Sequence, residues 1–127
     1  MSHTILVVDD DEGIVEVVQI VLESEGYEVL VSMDGEYFSH LGDKDNLPDL
    51  ILLDVLLSGA NGRDICTSLK QNERTKHIPV LMLSAHSDAR KVAHTSGADD
   101  FLEKPFDVDE LISIVARHLS TSSTSNI

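Results

Sequence analysis

The sequence predicts an α/β fold: a doubly wound, five-stranded parallel sheet with helices on both faces. Three observations point there. Strand-like and helix-like segments alternate five times along 127 residues, with connections long enough for crossovers. Leu50 to Leu53 is a short, unbroken apolar run, the mark of a strand buried on both faces. Several strand-like runs also end in charged or hydroxyl-bearing residues, as expected where an open sheet places its ligand crevice.

Thr4 to Val8 is β-branched and aliphatic and reads as the first strand, ending in Asp9-Asp10-Asp11-Glu12. Ile14, Val17, Val18 and Val21 recur at helical spacing and predict the buried stripe of the first helix. Asp11 and Glu12 suit its first turn, where the helix dipole favours negative charge, and Gly26 supplies the stop. Tyr27 to Val31 is the second strand. Asp34 opens a modest second helix carrying Tyr37, Phe38 and Leu41, which the polar Gly42–Pro48 segment closes. The third strand carries Asp54 at its carboxyl end, and Ser58-Gly59-Ala60-Asn61-Gly62 turns the chain out of the sheet.

Ile65, Cys66 and Leu69 mark one face of a third helix. Ile78 to Ser84 is a fourth strand, with Pro79 tolerated near its start. Ser87 to Ser96 is a weak fourth helix, poor in large apolar residues and ended by Gly97. Phe101 and Leu102 form a short last strand before Lys104-Pro105. Asp107, with Glu110 three residues on, is a capping-box variant opening the last helix, whose expected buried stripe is Val108, Leu111, Ile112 and Val115. Ser120 to Ile127 has no apolar period. One domain is therefore expected over residues 1–120, with 121–127 a disordered tail or the start of a linker.

With no Trp, two Tyr and three Phe, the core must be aliphatic. A formal net charge of −14 disfavours direct binding to nucleic acid or an anionic membrane surface, both polyanions. Cys66 is alone and reads as a small helix-face residue, so no disulfide framework is expected. No apolar run approaches the ~20 residues of a membrane span and no secretory signal is present, which predicts a soluble, cytoplasmic domain.

Asp9 and Asp10 end the first strand, Asp54 the third and Ser84 the fourth, and Lys104 follows the fifth. In a parallel sheet these ends share one edge, with adjacent strands roughly 4.8 Å apart. Carboxylates that close repel by about 4 kcal/mol per pair at ~4 Å and an effective dielectric near 20, so the arrangement requires a cation or a raised pKa. An all-oxygen donor set suits Mg²⁺, and zinc is disfavoured because Cys66 is isolated and the six histidines show no ligand spacing. Cation, ammonium, hydroxyl and carboxylate together describe a site for a phosphoryl group.

These residues carry a family resemblance. Ile5-Leu6-Val7-Val8-Asp9-Asp10-Asp11, Asp49-Leu50-Ile51-Leu52-Leu53-Asp54 followed by Gly59 and Gly62, Leu83-Ser84-Ala85, and Gly97-Ala98-Asp99-Asp100-Phe101-Leu102-Glu103-Lys104-Pro105-Phe106 resemble the receiver domain of two-component response regulators. The resemblance covers about residues 3 to 119. It implies a flavodoxin-like strand order, 2-1-3-4-5, and a phosphorylation-activated signalling switch that catalyses only its own phosphorylation and dephosphorylation.

Under it, Asp54 is the phosphoacceptor, and Asp9, Asp10, Asp54 and the backbone carbonyl of Leu56 hold Mg²⁺. Ser84 is the switch hydroxyl, Lys104 the phosphate-pairing lysine, and Phe101 the aromatic that follows the switch. The Lys104–Pro105 bond is expected to be cis. The implied partners are a sensor histidine kinase or a histidine phosphotransfer protein. The responsive surface is the fourth helix, fifth strand and fifth helix, including Lys91, His94, Phe101 and Glu103, with a homodimer through it as a further option.

Four positions depart from the family pattern or tune it. Ser58 stands where proline is usual, and Phe101 lacks the hydroxyl of a tyrosine. Leu56 and His86 match positions that tune dephosphorylation; an apolar Leu56 offers an attacking water no hydrogen bond and implies a long-lived phosphoryl group. The alternative is a phosphohydrolase of the haloacid-dehalogenase type, since Asp9-Asp10-Asp11 contains Asp-x-Asp. That pattern wants Thr or Val where this chain has Gly13, and 127 residues leave little room for a cap.

Overall fold

The computed structural model describes residues 3–32, 47–57, 60–84 and 96–124. Five strands form one parallel sheet: β1 (Thr4–Val8), β2 (Glu28–Ser32), β3 (Leu50–Asp54), β4 (Val80–Ser84) and β5 (Asp100–Glu103). Their order is β2-β1-β3-β4-β5, as the resemblance implied. Three helices accompany them among the described residues: α1 (Glu12–Ser24), α2 (Gly62–Gln71) and α3 (Val108–Thr124). The expected second helix and almost all of the fourth lie outside the described residues, as do Lys91, His94, Ser58 and His86.

Period-two alternation divides the core. Ile5, Val7, Leu50, Leu52, Leu81, Leu83 and Leu102 face α1 and α3, while Leu6, Val8, Ile51, Leu53, Val80 and Met82 face α2. This two-sided burial is why β3 and β4 read as continuous apolar runs; both strands are buried throughout. Cys66 is fully buried in the second layer, and burial pushes its thiol up to about 11, so it packs as a small apolar group.

Several boundaries and faces differ from expectation. β2 begins at Glu28 and extends to Ser32; β4 begins at Val80, leaving Pro79 outside the ladder where its carbonyl accepts from the Ile51 amide. On α1 the buried residues are Val15, Val18 and Leu22, while Val17 is 47% exposed. On α3, Leu111 and Val115 are buried as expected, but Ile114 and Leu119 complete the stripe and Val108 faces solvent. α3 continues to Thr124, four residues past position 120, because a helix already nucleated over three turns propagates through weak formers.

The end of α3 is tied to β5 by an ionic cluster. Asp100 Oδ2 accepts from Arg117 Nη2 at 2.6 Å and lies 2.9 Å from His118 Nε2, while Oδ1 accepts from the Phe101 amide. Burial pushes the Asp100 carboxyl up, but the hydrogen bonds from His118, Phe101 and Arg117, with the Arg117 charge, outweigh it and hold the group below its usual range. A depressed carboxyl stabilises the fold above its unfolded pKa of about 4 and loses that contribution as pH falls through the folded value. Asp100→Asn is expected to cost about 1 kcal/mol at neutral pH and to flatten the acid limb of stability measured by urea melts below about pH 4.

Candidate functional site

The carboxyl edge of the sheet collects the predicted residues because every strand points the same way. Asp9 directly follows β1, Asp54 ends β3, Ser84 ends β4 and Lys104 directly follows β5. Registers of Val8 with Leu53, Asp54 with Leu83 and Ser84 with Glu103 keep these ends level. Asp9, Asp10 and Asp54 each offer a carboxylate oxygen, and these atoms lie within 4.8 Å of one another. Asp9 is fully buried and Asp54 nearly so.

Lys104 enters this cluster from β5. Its Nζ lies 2.8 Å from Asp9 Oδ2 and 3.5 Å from Asp54 Oδ1. Burial pushes the ammonium pKa down, but the Asp9 hydrogen bond and the Asp54 and Asp9 charges outweigh it and raise the group above the usual lysine value. The Lys104–Pro105 bond is cis, as expected, and the Lys104 amide donates to the Ser84 carbonyl at 2.7 Å, which joins the ends of β4 and β5. Ser84 is itself buried beside this junction.

Two supports were not anticipated from sequence. The Asp11 amide donates to Asp9 Oδ1 at 2.9 Å, an Asx-type turn that orients the buried acid. Asp11 itself is the N-cap of α1, accepting from the Gly13 and Ile14 amides. The sequence signal for this turn and cap is Asp-x-Asp-x-Gly at residues 9–13. Behind Asp54, a two-residue antiparallel pairing of Leu56–Leu57 with Ala60–Asn61 shapes the loop, and the Gly62 amide donates to the Val55 carbonyl at 2.8 Å.

The structure therefore brings Asp9, Asp10, Asp54 and Lys104 together. Leu56 places its backbone two residues past Asp54, on the same loop. Phe101 stands apart, half-buried in the middle of β5 and packed against the α2-side core. An all-oxygen cluster of three carboxylates fits a hard divalent cation such as Mg²⁺.

Residues 5–116 match the response regulator receiver domain family. The chain is 43% identical over 113 residues to the DNA-binding dual master transcriptional regulator RpaA of Synechocystis, covering 87% of this chain and 46% of that protein. It thus spans about half the length of that curated relative. Among solved structures, the signal receiver domain of a histidine kinase from Syntrophus aciditrophicus superposes with a TM-score of 0.84 at 34% identity, covering 94% of this chain and 92% of that one. The receiver domain of the sensor histidine kinase PA1611 from Pseudomonas aeruginosa, with a magnesium ion coordinated in its active-site cleft, has a TM-score of 0.83 at 28% identity, covering 94% of this chain and 99% of that one.

Proposed function

This chain belongs to the response regulator receiver domain family, and from that membership we propose that Asp54 is the phosphoacceptor of its signalling switch. The observation that carries the reading is the meeting of three carboxylates with one ammonium at the carboxyl edge. The family match over residues 5–116 leaves the phosphohydrolase alternative unsupported.

An Asp54 carboxylate oxygen attacks the phosphorus of a phosphohistidine carried by a sensor histidine kinase or a phosphotransfer protein. The P–N bond breaks, the imidazole nitrogen keeps the electron pair, and an acyl phosphate forms on Asp54. Asp9, Asp10, Asp54 and the Leu56 carbonyl would hold Mg²⁺, which when bound supplies positive charge to the phosphoryl oxygens. Lys104, 3.5 Å from Asp54 Oδ1, is within reach of the added oxygens, and Ser84 is the hydroxyl donor at the neighbouring strand end.

The new dianion draws Ser84 and Lys104 inward, and Phe101 follows on β5, altering the β5–α3 surface. The domain catalyses these steps on itself and turns over no diffusible substrate. No helix among the described residues is long and apolar enough to cross a membrane.

The test is intact mass after incubation with acetyl phosphate and Mg²⁺. The wild type is expected to gain one phosphoryl group, lost when Mg²⁺ is replaced by chelator, and Asp54→Ala to gain none. Equal uptake by Asp54→Ala would place the acceptor elsewhere.

A further inference from the structure

Three of the six histidines meet at the end of the sheet opposite the carboxylate cluster. His3 directly precedes β1, His77 lies in the segment that leads into β4, and His118 is in the later turns of α3. All three line one cavity of about 370 Å³, together with Asp49, which directly precedes β3. No ligand spacing in the sequence announces this group, because its members meet only through the fold. Five-residue strands set it roughly 17 Å from the carboxyl edge, so it is a separate site.

The donor chemistry differs from that of the aspartate cluster. Imidazole nitrogens with one carboxylate suit a borderline cation such as Zn²⁺, whereas an all-oxygen set suits Mg²⁺. His118 already has the outer partner that metal-binding histidines use, since its Nε2 stands 2.9 Å from Asp100 Oδ2. An ionised carboxylate only accepts, so Nε2 carries the hydrogen and Nδ1 of the neutral ring keeps its lone pair. Asp49 is held at the cavity wall by the Thr4 amide, which donates to its Oδ2 at 2.7 Å. Ile78 and Leu119, both buried, give the cavity an apolar base.

We propose that this amino-edge cavity binds a divalent cation of the Zn²⁺ class through His3, His77 and His118, with Asp49 as the fourth donor. Among the described residues, the ligand atoms already gathered within 4.8 Å are those of Asp9, Asp10 and Asp54. The imidazoles therefore close on the metal as it binds; His77 is exposed and His3 half-buried, which leaves both rings room to turn. A bound ion ties the start of β1 and the approach to β4 to the end of α3. The assignment stands independently of phosphoryl transfer at Asp54.

The probe is Zn²⁺ alone, titrated by calorimetry into the full chain, free of any purification tag, in saturating Mg²⁺. One equivalent is expected to bind and to raise the melting temperature. A His3→Ala, His77→Ala double variant is expected to lose at least the tenfold in affinity that removing even an outer partner of a ligand costs. Zn²⁺ also competes for carboxylates, so Asp54→Asn is the control; it is expected to stay within about twofold of wild type, as distant sites do.

Spectra of the wild type need no variant: the ring signals of three of the six histidines are expected to shift on adding Zn²⁺. Ring signals that stay in place would overturn the proposal. So would a double variant that binds as wild type does, or binding that disappears in Asp54→Asn, which would put the ion at the carboxylates. Metal-free melts of the same samples separate folding from binding. A double variant that melts as wild type without metal and lacks the zinc-induced rise supports the site; one that melts lower yet keeps the full rise overturns it.

Discussion

Lys104→Met is expected to destabilise the metal-free domain by about 3 kcal/mol, or roughly 10 °C in melting temperature for a chain of this size. Methionine keeps most of the apolar stem and removes only the ammonium. What remains is Asp9, fully buried, beside Asp54 and Asp10 with oxygens within 4.8 Å, and with the cation formerly 2.8 Å away gone. Breaking a buried pair by deleting one partner is costly because the other charge stays buried. The pair itself adds much less when intact, since desolvation of both groups offsets most of their attraction. Millimolar Mg²⁺ is expected to raise the melting temperature of wild type and to raise that of Lys104→Met further, since the variant has lost the ammonium 2.8 Å from Asp9 Oδ2. Thermal melts with Mg²⁺ and with chelator read both effects. A variant as stable as wild type in chelator would show that Lys104 does not hold the acidic cluster together.

How much of this was legible depended on whether the determinant was local. Strands β3 and β4 were legible because burial on both faces forces unbroken apolar runs, and the site followed because a polar residue closing such a run must sit at a strand end. The face of α1 was not. Ile14, Val15, Val17, Val18, Ile20, Val21 and Leu22 make the helix apolar nearly all round, so spacing alone supports two adjacent stripes, and only docking on the sheet selects Val15, Val18 and Leu22. The Asp100 cluster was equally hidden, since Arg117 and His118 reach it across 17 and 18 residues once α3 packs beside β5. Phe101 was assigned its role through resemblance. Its place in mid-strand, packed on the α2-side core, gives it a path to move without saying what moves it.

Gly62→Ala is expected to be the most damaging small substitution near the site, costing about 3 kcal/mol, the upper end for inserting a methyl group into close-packed surroundings. A Cβ at position 62 would collide with the Asp54 carbonyl oxygen and come within 2.9 Å of Val55 Cα and 3.0 Å of the Asp54 carbonyl carbon. All three are backbone atoms, so no side-chain rotation relieves the contact. The requirement is close approach: Gly62 begins α2, is buried, and donates its amide to the Val55 carbonyl at 2.8 Å, which presses the helix start against the end of β3. Relief must move either α2 or the segment from Asp54 to Leu56, and that segment carries the proposed acceptor and a proposed metal-binding carbonyl. Phosphoryl uptake from acetyl phosphate and Mg²⁺ affinity by calorimetry should therefore fall in whatever fraction still folds. Gly13→Ala is the control, because its Cβ would meet only Asp11 Oδ1 at 3.3 Å and alanine favours the first turn of α1; it is expected to change stability by less than about 1 kcal/mol. Should Gly62→Ala match Gly13→Ala in urea melts and in uptake rate, the contact between α2 and β3 would not be what positions Asp54.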